Sequence, residues 1–186
     1  MGPLRRARER PSPPPCGRAA AVATWLILTL GSAGAQGLTG VDPCALLTDE
    51  EVAAVFGAID QSGTEDALPT SSLRQCSWIT SGGGRVLFGG LVLQVMGVRD
   101  GSLEALIARL EGDRFFPLDA HPIPAGPAPA AYAVDPDKAT PTAFLVAAIV
   151  GGLQVTLVPG ASPEVASPTF AGLVELLWTA VARLVD

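Results

Sequence analysis

Two cysteines constrain this chain more than any other feature. Cys44 and Cys76 remain once Cys16 is set aside, and each sits inside a strong local signal, Asp42-Pro43-Cys44-Ala45-Leu46-Leu47 and Cys76-Ser77-Trp78. A bond between them ties the start of a helix to a strand. It closes a loop of about 33 residues, which in the chain-entropy model stabilises by about 3.5–4 kcal/mol. The pairing is expected because the chain reads as exported, and an even pair in an oxidising compartment reads as a disulfide. A zinc site needs two further ligands, and the only histidine is His121. No Cys-x-x-Cys is present for redox work.

The export reading rests on residues 1–35. Arg5, Arg6, Arg8, Arg10 and Arg18 supply a basic n-region, Ala19 to Leu30 an apolar h-region, and Ala33-Gly34-Ala35 a small-x-small cleavage site before Gln36. The h-region is short for a membrane span; a retained anchor is the alternative. Residues 36–186 then form a single secreted domain. Five of the 12 Lys and Arg and one of the 18 Asp and Glu fall in 1–35, so the remainder carries a net charge of −10. That surface repels nucleic acid and anionic lipid.

The local signals around the cysteines are explicit. Thr48 and Glu51 have the spacing of a capping box, and Leu47 and Val52 that of a hydrophobic staple. Asp49, Glu50 and Glu51 favour the first turn through the helix dipole, and Gly57 can end the helix. Asp42 before Pro43 predicts a separate short turn. The acidic triplet therefore reads as capping rather than as an acid–base site. Leu73–Thr80 reads as a strand that puts Cys76 and Trp78 on one face, with Trp78 beside the disulfide. A Trp platform for a sugar or base is the alternative for that residue.

Further along, residues 58–72 allow at most one short strand near 58–64. Gly82-Gly83-Gly84 predicts a hairpin turn, and Val86–Val98 a strand with a bulge at Gly89-Gly90. Ser102 caps a helix over Leu103–Glu111, whose Leu103, Leu106, Ile107 and Leu110 form one apolar stripe. Phe115–Pro141 holds seven prolines, which exclude a long helix; a strand is expected near Ala130–Val134. His121 falls in this segment, in what reads as a Pro-rich loop. Thr142–Val150 and Leu153–Val158 read as a hairpin around Gly151-Gly152. The first of its strands is apolar throughout and expected to be central. In the second, Gln154 and Thr156 alternate with apolar residues and predict a partly wet face. Ser167-Pro168 predicts the start of a C-terminal helix.

Asp-Pro-Cys, Leu-Leu-Thr, an acidic residue, Val, Gly and a later Cys-x-Trp stand here as Asp42, Pro43, Cys44, Leu46, Leu47, Thr48, Glu51, Val52, Gly57, Cys76 and Trp78. This pattern resembles the secreted domain of unknown function (family 3558) common in actinobacterial envelope proteins and lipoproteins. The resemblance implies export and a small α+β domain, and brings no agreed activity, cofactor or catalytic residue. Many members carry a lipid-anchoring cysteine after the h-region, where this chain has Gln36.

The expected fold is α+β: an antiparallel-rich sheet in two hairpin-containing halves, about three helices packed on one face, and one disulfide. Duplication of the two halves is suggested by element order alone. The expected function is that of an exported, non-catalytic domain of the envelope or extracellular space, monomeric or weakly oligomeric, without a cofactor. It binds a small apolar ligand or envelope component through an apolar pocket, with His121, Gln154 and Thr156 as ligand-facing residues. A protein–protein accessory or sensor module, with an exposed apolar patch, is the alternative. A secreted hydrolase is less expected, since the chain has no Gly-x-Ser-x-Gly and no His-Glu-x-x-His.

Overall fold

In the computed structural model, which describes residues 38, 40–66, 73–80, 90–112, 118–136, 143–160 and 169–186, the chain opens with the turn that Asp42 predicts. The Asp42 carboxylate accepts from the Cys44 N–H at 2.9 Å, and Pro43–Ala45 forms one 3-10 turn. Helix α1, Asp49–Phe56, follows. Its capping box is complete: Thr48 Oγ1 accepts from the Glu51 N–H at 3.3 Å, and Glu51 Oε2 from the Thr48 N–H at 2.8 Å. Leu47 and Val52 are both buried in one core. Gly57 ends the helix at φ 86°, a backbone glycine adopts without penalty.

Three strands then form a meander: β1 (Ile59–Asp66), β2 (Leu73–Thr80) and β3 (Gly90–Gly97). Helix α2 (Leu103–Glu111) is capped by Ser102, whose hydroxyl accepts from the Ala105 N–H at 3.2 Å. A second meander follows: β4 (Asp119–Pro122), β5 (Ala130–Val134), β6 (Ala143–Val150) and β7 (Leu153–Pro159). Helix α3 (Phe170–Val185) closes the chain. The sheet order is β1-β2-β3-β7-β6-β5-β4, antiparallel at every pairing, and β3–β7 joins the two meanders. The fold is α+β, as its sequence pattern implies. By backbone contacts the chain divides after Gly31, and all described residues belong to the second unit, Ser32–Asp186. The predicted signal segment, the triple-glycine turn and Ser167-Pro168 lie outside the described residues.

Cys44 and Cys76 are disulfide-bonded, with Cα atoms 5.2 Å apart. The bond fastens the 3-10 turn to β2, and Arg74 on the same strand donates to the Val41 carbonyl. Trp78 is 2 % exposed. Its indole N–H donates to Asp49 Oδ1 at 3.0 Å, and its ring lies over Gly63 of β1, where a Cβ would stand 2.7 Å from it. It is a core residue and offers no platform to a sugar or base.

The helices do not share one face. Along β6, Val146 and Ala148 join the core under α1 and α3, whereas Leu145, Ala147 and Ile149 join a second core under α2. Residues alternate across a strand, so α2 lies on the opposite face. A two-fold axis normal to the sheet would exchange β3 with β7 but leave each face on itself. It cannot exchange α1 with α2, and the suggested duplication finds no support.

Other departures have local causes. β1 is longer than expected because it pairs with β2 through two register irregularities, out to Asp66↔Gln75. β4 was hidden by its proline: Pro122 ends a four-residue edge strand, where a missing N–H costs no ladder bond. α3 starts at Phe170 because the Thr169 hydroxyl caps it, accepting from the Gly172 N–H at 3.1 Å.

Candidate binding edge beside the C-terminal helix

Both edges of the sheet discourage strand addition. β4 is short and contains Pro122, and β1 is irregular and carries Asp60, Glu65 and Asp66. At the β4 edge, side chains rather than backbone form the surface. His121 and Tyr132 are paired in register between β4 and β5, with ring centroids 5.2 Å apart. Tyr132 in turn meets Phe170, the first residue of α3, edge to face at 4.8 Å. Phe170 is 44 % exposed. His121 Nε2 lies 3.3 Å from Asp119 Oδ2, two residues away on the same strand, and both side chains are solvent-accessible.

Two turns beyond Phe170, Trp178 continues this side of α3 and is half-buried. Gly126 rests on it so closely that a Cβ there would stand 2.1 Å from the indole. Gly126 belongs to the β4–β5 connection. Residues 122–129 read Pro-Ile-Pro-Ala-Gly-Pro-Ala-Pro and contain no polar side chain. Six of them, all but Ile123 and Ala128, are exposed. Backbone bonds hold the loop at both ends, Ile123 N–H to the Ala130 carbonyl and Ile149 N–H to the Pro129 carbonyl, each 2.9 Å. Ile123 and Ala128 are anchored against the main core. The edge thus combines an aromatic row with a supported, apolar and exposed loop.

The residues expected to face a ligand are not brought together. His121 stands on this edge, on a strand rather than in a loop. Gln154 and Thr156 lie on the opposite face, in the middle of the sheet, and are only 5 % and 6 % exposed. The wet face predicted for β7 is therefore a correction: α2 places Arg109 over it, and Gln154 donates to Thr156 Oγ1 at 3.1 Å while accepting from Arg109 Nε at 3.1 Å. Tyr132, Phe170 and Trp178 were not singled out from sequence as site residues. The signal was present: Phe170, Val174 and Trp178 recur every fourth residue of α3, one side of a helix.

An open cleft of about 300 Å³ lies between α1 and β1, lined by Asp49, Glu50, Ala53, Ile59, Asp60 and Ser62. Its lining mixes carboxylates and a hydroxyl with the apolar Ala53 and Ile59. The Ser62 hydroxyl holds the Asp49 carboxyl below the usual aspartate range, helped by the Gly63 N–H and the Trp78 indole. These bonds use Asp49 to fasten β1 and Trp78 to the helix.

Among the described residues, no group of three or more His, Cys, Asp and Glu is placed to hold a metal ion, and no helix is long and apolar enough to cross a membrane. No family model matches the chain, and neither does any curated protein or solved structure.

Proposed function

We propose that this is an exported, non-catalytic accessory domain that docks a protein partner on the β4–α3 edge. One observation carries the reading. Tyr132 and Trp178, half-buried where they pack against the core, and the exposed Phe170 line a single edge, next to a loop without a polar side chain. Protein interfaces are enriched in such aromatic anchors and depleted of charge at their centre. The solvent-accessible side chains of Asp119 and His121 suit its polar rim. Export is supported by the signal-like segment 1–35, by the disulfide, which suits an oxidising compartment, and by the sequence resemblance to an envelope family.

The test is photo-crosslinking in cells that export the protein, with a benzophenone amino acid at Phe170. The control places it at Ile79, which is 43 % exposed on the sheet face opposite the aromatic row. The expected outcome is one dominant protein adduct from position 170 and none from 79. Equal adducts from both positions, adducts from 79 alone, or none from either would each overturn the reading.

A further inference from the structure

Arg109 stands on the last turn of α2 with its charge against a buried polar row. Its Nε donates to Gln154 Oε1 at 3.1 Å and its Nη1 to the Asp100 backbone carbonyl at 3.2 Å. Both acceptors are neutral. Nη2 is buried and meets no acceptor among the described residues. Asp100 places a negative charge near Arg109, but its Oδ1 accepts from the Ser102 N–H at 2.9 Å, and the bond from Arg109 goes to its backbone carbonyl, so Nη2 is left without an acceptor. Burying one arm of a guanidinium without a partner is costly. The fork of an arginine matches a carboxylate, which takes two donors in one plane.

The surroundings extend the donor set. The β3–β7 register sets Gln94 opposite Thr156 and Met96 opposite Gln154, so these four side chains share one patch of the sheet. Gln94 donates onward to Gln75 at 3.3 Å, and Gln75 to Asp66 at 2.9 Å. Helix α2 packs on β4, β5 and β6, and the polar row runs out from beneath it onto β3 and β2. Gln94 and Met96 are only half-buried there. Met96 is unbranched and adapts its shape easily.

We propose that the junction of α2 with β3 and β7 is a binding site for the carboxylate of a small organic acid. Arg109 Nη2 is its charged donor, the Gln94 amide a second polar group, and Met96 the side chain that yields. This site lies on the face opposite the aromatic row and does not depend on the docking role of that edge.

The test titrates the full-length exported protein with sodium succinate at pH 7, with sodium chloride at matched ionic strength as control. Thermal unfolding and the Arg109 Nε–H resonance in ¹⁵N-resolved NMR are followed together. The expected result is a saturable rise in Tm and a saturable shift of that resonance with succinate alone. Arg109→Lys, which keeps the charge but loses the fork, should weaken the apparent affinity at least tenfold, and Val185→Ala, at an exposed position of α3 on the other face of the sheet, should leave it unchanged. An equal rise with chloride, an unchanged response in Arg109→Lys, or no response in the natural protein would overturn the assignment. So would a crystal structure grown in succinate that shows only ordered water at Nη2. Arg109→Lys retains a donor to Gln154, so it keeps the buried polar row while losing the fork.

Discussion

Arg183 grips the Glu51 carboxylate with both arms of its guanidinium, Nη1 to Oε2 at 2.8 Å and Nη2 to Oε1 at 2.7 Å, across 132 residues of chain. Nη1 also donates to the Leu46 carbonyl at 2.9 Å. One carboxylate therefore caps α1 and clamps the last turn of α3. The two side chains are about a third exposed, where simple ion pairs contribute little. The bidentate geometry and the carbonyl bond raise the value. Arg183→Ala should lower stability to urea by about 1–2 kcal/mol, and Arg183→Lys should recover less than half of that loss because an ammonium cannot fork. A loss within error of zero for Arg183→Ala would show that the clamp adds nothing to the fold.

The same pair sets a pH dependence. Arg183 holds the Glu51 carboxyl below the ordinary glutamate range, with the Thr48 N–H assisting. The Ser77 and Gln75 side chains do the same for Asp66, and the Ser102 backbone for Asp100. In each case the unfolded chain binds the proton more readily than the folded one. The stabilisation is therefore fully present above the unfolded values, about 3.9–4.3, and is lost as pH falls through the lower folded values. Urea midpoints should be flat from pH 7 to about 5 and fall steeply below about 4. Glu51→Gln should be less stable than the natural protein at pH 7 but lose less on acidification. Parallel curves for the two proteins would contradict this.

The disulfide acts on a segment that has few other ties to the sheet. Residues 38–47 are held to it by Cys44–Cys76, by the Arg74 guanidinium and by buried Leu38, Leu46 and Leu47. Replacing both cysteines with alanine should cost about 3.5–4 kcal/mol. Amide hydrogen exchange should rise first in residues 40–56, ahead of β6 and β7. If protection falls uniformly over the sheet instead, the bond supports the whole domain rather than docking its first helix.

How far the fold could be read from sequence depended on whether the deciding contact was local. Thr48, Glu51, Ser102 and Gly57 act within four residues of themselves, and the bounds of α1 and α2 followed from them. The strands Leu73–Thr80 and Ala130–Val134 were equally legible from their own residues. Gln154 and Thr156 misled because their alternation is that of a half-wet strand, and only the placement of Arg109 from α2, 45 residues away, buries them. β4 was illegible because Pro122 is tolerated only at an edge, and edges are assigned by the whole sheet. The binding edge was half legible: His121 and the Pro-rich stretch were singled out, but their aromatic neighbours come from β5 and α3, and sequence spacing does not bring those together.

Two glycines under two tryptophans separate scaffold from surface. At Gly63 a Cβ would stand 2.7 Å from the indole of Trp78, which is 2 % exposed and tied through its N–H to Asp49. The ring cannot step aside, so Gly63→Ala should destabilise by about 1–3 kcal/mol as an overpacked core does and shift tryptophan emission to the red. At Gly126 the Cβ would stand 2.1 Å from Trp178, a tighter overlap, but that indole is only half-buried at the edge and can swing toward solvent. Gly126→Ala should therefore cost less stability than Gly63→Ala while lifting the apolar loop off α3. The two effects can be measured side by side, by urea unfolding and by the yield of the partner adduct from position 170. The expected pattern is a stable Gly126→Ala protein with a several-fold lower yield, and a destabilised Gly63→Ala protein whose folded fraction crosslinks normally. An unchanged yield in Gly126→Ala would separate the loop from the docking surface and leave the Tyr132–Phe170 contact as its centre.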